Sequence, residues 1–176
     1  MKIIIRIIVM LLLVIPTTNV FAKESVVITN GNIASFNLTQ NSELTLEEIE
    51  LLLGKFPNLL PISNKLYECQ NEYNVNVHFV IALIRNESAN GESSLTKSNN
   101  NIIGAKVGGN YMKFETLDDC VDYLHRLLSE KYLNEDGVYF NGYTLSSVNK
   151  KYCGDQIWYD TISTIMVSDY NVIAEK

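Results

Sequence analysis

Histidine is almost absent from this chain: His78 and His125 are the only two in 176 residues. They form no His-Glu-x-x-His pattern, and Cys69, Cys120 and Cys153 have no zinc-ligand spacing, so neither a metal nor an organic cofactor is expected. Three cysteines are an odd number: at most one internal bridge can form, and one thiol is left over. Cys120 and His125 are five apart on one predicted helix and face different sides, which argues against a papain-like pair. Cations are outnumbered too, 14 Lys and Arg against 20 Asp and Glu, for a net charge of −6. A chain of this charge has no basic patch to hold nucleic acid, nor to hold an anionic wall by charge alone. No internal repeat, low-complexity tract or apolar run long enough for a membrane span is present.

What remains is enough for one domain. Hydrophobic residues make up 47 % of the chain, so a real core can be buried. Residues 1–22 read as a signal peptide: Lys2 and Arg6 form the positive region, Ile7 to Ile15 the apolar region, and Val20-Phe21-Ala22 a cleavage site. The alternative is an uncleaved N-terminal anchor. Cleavage would remove two cations and no acid, taking the net charge from −6 to −8. The mature protein would then be secreted to the cell envelope with no stable membrane insertion. Residues 23–43 are expected to be a loose lead-in, and residues 44–176 the folded domain.

The domain reads as mainly helical. Thr45-Leu-Glu-Glu48 is a capping box opening a helix that stops at Gly54. A second helix covers about Ser63 to Tyr73. Val77 to Glu87 is an apolar helix in which Phe79, Val80, Leu83 and Ile84 form one buried stripe. Ile102 to Phe114 predicts a small β-hairpin with a glycine-rich turn, standing as a wall opposite Glu87. Thr116-Leu-Asp-Asp119 opens a helix carrying Leu117, Val121, Leu124, Leu128 and Tyr132 on one face. Thr144 caps a short helix to Tyr152, and a last helix runs from Gln156 to about Asp169.

Glu87 is the residue that carries chemistry. It continues the apolar stripe of its helix. A carboxylic acid on such a face loses hydration of its charged form and can keep a proton to give to a leaving group. That is how enzymes cutting glycosidic bonds use their acid. Ser88 to Asn101 is small and polar, with Gly91 where a C-cap would fall, so the helix is expected to end in a loop with the acid at the floor of a cleft. The competing reading is a last-turn glutamate pointing at water.

Glu87-Ser88, a small residue, one further position and Gly91, then Ser93 to Leu95 and Asn100-Asn101-Ile102-Ile103-Gly104, resemble the core motif of glycoside hydrolase family 73. These are bacterial glucosaminidases of the endo-β-N-acetylglucosaminidase type, which typically read Glu-Ser-Gly-Trp-Gly-x-Ser and then Asn-Asn-Leu-Phe-Gly. Tyr73-Asn-Val-Asn76, Phe114-Glu-Thr-Leu-Asp-Asp119 with Asp122-Tyr123, and Val148-Asn-Lys-Lys-Tyr152 with Trp158 resemble its flanking segments in order. The similarity covers roughly residues 44 to 168. Two departures stand out: Ala89-Asn90 replaces the usual Gly-Trp, and Cys153-Gly154 follows Tyr152 where the family has alanine.

The resemblance implies a lysozyme-like helical domain with one small β-hairpin lobe. It implies an exported enzyme that hydrolyses β-1,4 bonds after N-acetylglucosamine in peptidoglycan glycan strands. Glu87 would be the acid. Asp118, or Asp119, would be the second carboxylate, though first-turn acids are also favoured by the helix dipole alone. Tyr152 would be an active-site tyrosine, or a core tyrosine. Tyr111, Tyr132 and Trp158 are candidate substrate contacts. Asn101 is a further candidate, with fixing of the loop backbone the stronger reading. A lytic transglycosylase is the nearest rival; a non-catalytic wall-binding or assembly protein on a decayed scaffold is another. Recognition would come from the cleft, or from a recruiting partner protein.

Overall fold

Every residue of the central helix from Val77 to Ile84 is buried, His78 included. The expected stripe is therefore a helix covered on all sides, as befits one threaded through a core. The computed structural model describes residues 28–176; the predicted signal peptide and residues 23–27 lie outside them. The helices are α1 (Asn30–Ile33), α2 (Leu46–Leu53), α3 (Ser63–Tyr73), α4 (Val77–Glu87), α5 (Ser94–Asn99), α6 (Leu117–Leu127), α7 (Leu145–Tyr152) and α8 (Gln156–Ala174). A 3-10 turn, Leu60–Ile62, leads into α3, and a π-helical turn, Leu128–Tyr132, extends α6. Strands β1 (Lys106–Val107) and β2 (Asn110–Tyr111) complete a mainly helical, lysozyme-like fold.

Local sequence sets most of these boundaries. Thr45 and Glu48 form the reciprocal cap of α2, and Thr116 and Asp119 that of α6. Asn76 caps α4 by accepting from Phe79 N at 3.1 Å. The hairpin is antiparallel, with Lys106 opposite Tyr111 and Val107 opposite Asn110. Gly108 and Gly109 both have positive φ, 55° and 82°, as a two-residue type I′ turn requires. The strands are only two residues each, shorter than the apolar flanks suggest.

Two expectations need correction. The lead-in is not loose from Ile28 onward. Ile33 and Leu38 are fully buried, and Leu38 N donates to Tyr143 O while Leu38 O accepts from Asn76 N, both at 2.8 Å. Two apolar side chains and two long-range backbone bonds suffice to dock a segment whose composition is mostly polar. The polar run after Glu87 is not all loop either: Ser93 caps α5 by accepting from Thr96 N at 3.1 Å.

Helices α4 and α8 run antiparallel. Near one end the His78 ring stacks on Tyr170 at 3.7 Å; at the other, Trp158 meets Glu87. Arg85 donates to Asp169 at 2.8 Å and lies 4.4 Å over the Phe56 ring. Burial pushes the Asp169 carboxyl up to about 6, although the Arg85 charge opposes it. Burial also lowers both histidines, His78 to about 3 and His125 to about 4, against weaker raising effects from Glu48 and from the Val121 carbonyl and Asp122 respectively. Cys69, Cys120 and Cys153 are all free thiols, the first two buried and the third exposed.

These groups make stability pH-dependent. Below pH ~6.5 the unfolded chain takes up protons at both histidines that the folded chain refuses, so stability falls. Asp169 has the opposite sign: it adds stability at low pH that is lost as pH rises through about 6. At pH ~5 the two histidines cost about 2 kcal/mol each and Asp169 returns about 1. Thermal unfolding followed by circular dichroism should therefore show a Tm several degrees lower at pH 5 than at pH 7. An unchanged Tm would mean that the histidines are not held neutral.

Candidate active site

Glu87 is the last residue of α4, and its side chain is half-buried. Its Oε1 accepts the Trp158 indole N–H at 3.0 Å and the Asn86 amide at 3.3 Å. Its Oε2 accepts no hydrogen bond from the described residues. The carboxyl is thus held by one oxygen, with the other free of hydrogen bonds from the described residues. Trp158 comes from the first turn of α8 and is almost wholly buried, so it fixes the carboxyl with little freedom of its own.

Tyr152 stands beside this pair. Its ring stacks on Trp158 with centroids 5.3 Å apart, and its hydroxyl has no partner among the described residues. Burial, and then the Glu87 charge, raise this phenol far above its usual range. It therefore stays a neutral O–H, able to donate to a substrate oxygen. Asn149 builds the turn that sets Tyr152 against Trp158: its carbonyl accepts from Cys153 N and Gly154 N, and its amide donates to Asp155 O at 3.0 Å.

The remaining candidates are dispersed. Asn101 is buried, and its amide is fully engaged, donating to Ala105 O and Met112 O and accepting from Ala105 N. It staples the hairpin, together with Asn100, which donates to Phe114 O and Glu115 O. Tyr111 is exposed on the hairpin, with Lys106 Nζ 4.4 Å over its ring. Tyr132 is only 8 % exposed, wedged between Tyr152 and Tyr139. Asp119 is occupied as the α6 cap. Asp118 is exposed, and its charge acts on Lys65 of α3. No hydrogen bond or ion pair joins it to Glu87 among the described residues.

The helix end is shaped by Ser88. Its hydroxyl donates to Ile84 O at 2.6 Å and accepts from Gly91 N at 2.7 Å. The chain then turns through three consecutive left-handed residues, Ala89, Asn90 and Gly91, at φ of 52°, 56° and 85°. A Cβ at Gly91 would come within 3.0 Å of both Asn58 and Leu59, so that glycine is needed for space as well as conformation. A cavity of about 690 Å³ opens elsewhere, between Val75, Tyr73, Leu133 and Tyr143. Val75 precedes α4 and Glu87 ends it, so the two places are separated by the length of the helix.

An open-sided acid held by a tryptophan on a helical, lysozyme-like frame defines the class. The model of the glucosaminidase family, described as mannosyl-glycoprotein endo-beta-N-acetylglucosaminidase, matches residues 63–171, and the chain belongs to that family. Two Streptococcus pneumoniae proteins, from serotype 4 strain TIGR4 and from strain R6, are provisionally named endo-beta-N-acetylglucosaminidases. Each is 26 % identical over 144 residues, covering 74 % of this chain. The chain spans about a fifth of their length, 21 % and 20 %. Among solved structures, Staphylococcus aureus Autolysin E is similar with a TM-score of 0.67 at 20 % identity, over 83 % of this chain and 74 % of that one. Its complex with the muropeptide NAM-L-Ala-D-iGlu gives 0.67 at 21 % identity, over 80 % and 73 %. A catalytic glutamate-to-alanine mutant of it, bound to the disaccharide NAG-NAM, gives 0.63 at 18 % identity, over 80 % and 73 %.

Ala89 is strained where it stands, because a left-handed conformation costs a residue with a Cβ about 1–2 kcal/mol. Glycine would relieve this but give back part of it as unfolded-chain entropy. Ala89→Gly should therefore stabilise the protein by roughly 0.5–1 kcal/mol, a Tm rise of about 2–3 °C. A calorimetric scan showing a lower Tm would contradict the left-handed assignment.

Proposed function

We propose that this protein is an exported peptidoglycan hydrolase that cleaves β-1,4 bonds after N-acetylglucosamine in glycan strands. The observation that carries this reading is the state of the Glu87 carboxyl: Oε1 fixed by the Trp158 indole, Oε2 without a partner among the described residues, in a chain of the glucosaminidase family. Glu87 protonates the bridging oxygen as the C1–O bond breaks. The Tyr152 hydroxyl, neutral and 5.3 Å ring-to-ring from Trp158, donates to the sugar beside it.

The positive charge that develops at C1 must be met from the other face of the sugar. Glu87 is the one carboxylate among the described residues that is hydrogen-bonded to Trp158, and no hydrogen bond or ion pair joins Asp118 to it. This supports the substrate's own acetamido oxygen as the internal nucleophile, with water then opening the ring so formed. Asp118 remains the protein's alternative for that role. The wall is the substrate, no cofactor takes part, and the site of action is the extracellular side of the membrane. Among the described residues no helix is long and apolar enough to cross a membrane.

A gel containing cell wall tests the reading. Wild type should clear it, and Glu87→Gln should lower the rate by at least about 100-fold. Asp118→Asn should keep most of the activity; a loss comparable to that of Glu87→Gln would make Asp118 the second catalytic group. Mass spectrometry of the digest should find reducing N-acetylglucosamine ends. Anhydro-sugar ends would make it a lytic transglycosylase, and no clearing by wild type would make it a wall-binding protein.

A further inference from the structure

The aromatic contacts that begin at Glu87 do not stop at Tyr152. Tyr152 meets Tyr132 with ring centroids 5.6 Å apart, and Tyr132 meets Tyr139 at 4.9 Å. The series Trp158, Tyr152, Tyr132, Tyr139 therefore leads from the acid to the surface in steps of about 5 Å, comparable with the rise of one sugar in a β-1,4 strand. Of these four rings only Tyr139, at the outer end, is largely exposed. Trp158 and Tyr132 are 7 % and 8 % exposed, whereas Tyr139 is 43 % exposed and its neighbour Val138 is 73 % exposed.

The backbone is built to hold Tyr139 there. The π-helical turn Leu128–Tyr132 is closed by Leu133 N donating to Leu128 O at 2.9 Å, and Tyr139 N donates to Lys131 O at 2.9 Å. Gly137 lies so close that an added Cβ would be 2.5 Å from Lys131 O and 2.8 Å from Glu130 O. Only a residue without a Cβ lets the chain press against the wide turn and bring Tyr139 onto Tyr132. π-turns of this kind often occur at functional sites. The loop after Glu87, meanwhile, carries Ala89 and Asn90 and offers no aromatic ring.

We propose that Tyr139 is a substrate-binding residue whose ring stacks on a sugar of the glycan strand outside the cleaved bond. This rests on the hydrolase reading. Tyr139 binds the strand through the apolar face of a pyranose, and the Tyr132 ring behind it fixes its orientation. Long strands reach it and short fragments do not, so it sets a preference for chain length.

The test uses the Glu87→Gln protein, which binds without cutting, and the fluorescence of Trp158, the single tryptophan. Titrations compare purified peptidoglycan glycan strands with a disaccharide. Tyr139→Ala should raise the Kd for strands about five- to ten-fold and leave the disaccharide Kd unchanged. Tyr139→Leu, which keeps apolar contact with Tyr132, should weaken strand binding likewise, while Tyr139→Trp keeps it. Equal strand affinity in all four proteins overturns the proposal and leaves the hydrolase reading intact. Recovery of full affinity by leucine also overturns it, because the role is then packing alone. If the Tyr139-containing protein binds no strands, and wild type clears no wall, the hydrolase reading fails and takes this one with it.

Discussion

Glu87 is held in place because helices α4 and α8 cannot slide past one another. They are pinned at three points: His78 stacked on Tyr170, Arg85 paired with Asp169, and the Trp158 indole bonded to Glu87. The first two are buried contacts of structure, and the third is the site itself. A shift of α8 by one turn, about 5.4 Å, would break all three. It would also leave the Arg85 and Asp169 charges uncompensated in the core, a cost of several kcal/mol. The position of the candidate acid is thus set by the same contacts that hold the fold together.

The price of that rigidity is a set of polar groups kept from water. His78 Nδ1, His125 Nε2 and Asp169 Oδ2 are buried without hydrogen-bond partners. Each disfavours the fold a little at neutral pH and, for the histidines, more in acid. The residues beyond the helix end show a similar strain, with Ala89 and Asn90 left-handed before Gly91. That turn lets the chain reverse at once after Glu87 and carry α5 and the three asparagines Asn99 to Asn101 to the base of the hairpin, where all three donate to backbone carbonyls.

Much of this was legible in the chain. Capping residues Thr45, Thr116 and Thr144 mark where helices begin, because an unsatisfied N–H needs a side-chain acceptor next to it in sequence. Glu87 stands out because it continues an apolar stripe and because a negative charge at a helix C-terminus is disfavoured by the helix dipole. The part that misled concerns composition. Ile33 and Leu38 lie in polar surroundings, yet two apolar side chains are enough to dock a segment. The roles of Asn101 and Tyr132 also depend on neighbours distant in sequence: Met112 for one, Tyr152 for the other.

The sequence alone determined the longer helices, the caps at Thr45, Thr116 and Thr144, the glycine-rich turn at Gly108-Gly109 and the family motif around Glu87, because these depend on neighbours within a few residues. The tertiary structure decided which groups meet the acid. Trp158 lies 71 residues from Glu87, and no local pattern says that its N–H will find that carboxylate. The exposure of Tyr139 was likewise decided by how the π-turn packs, since a side chain's surroundings are set by whatever the fold brings against it.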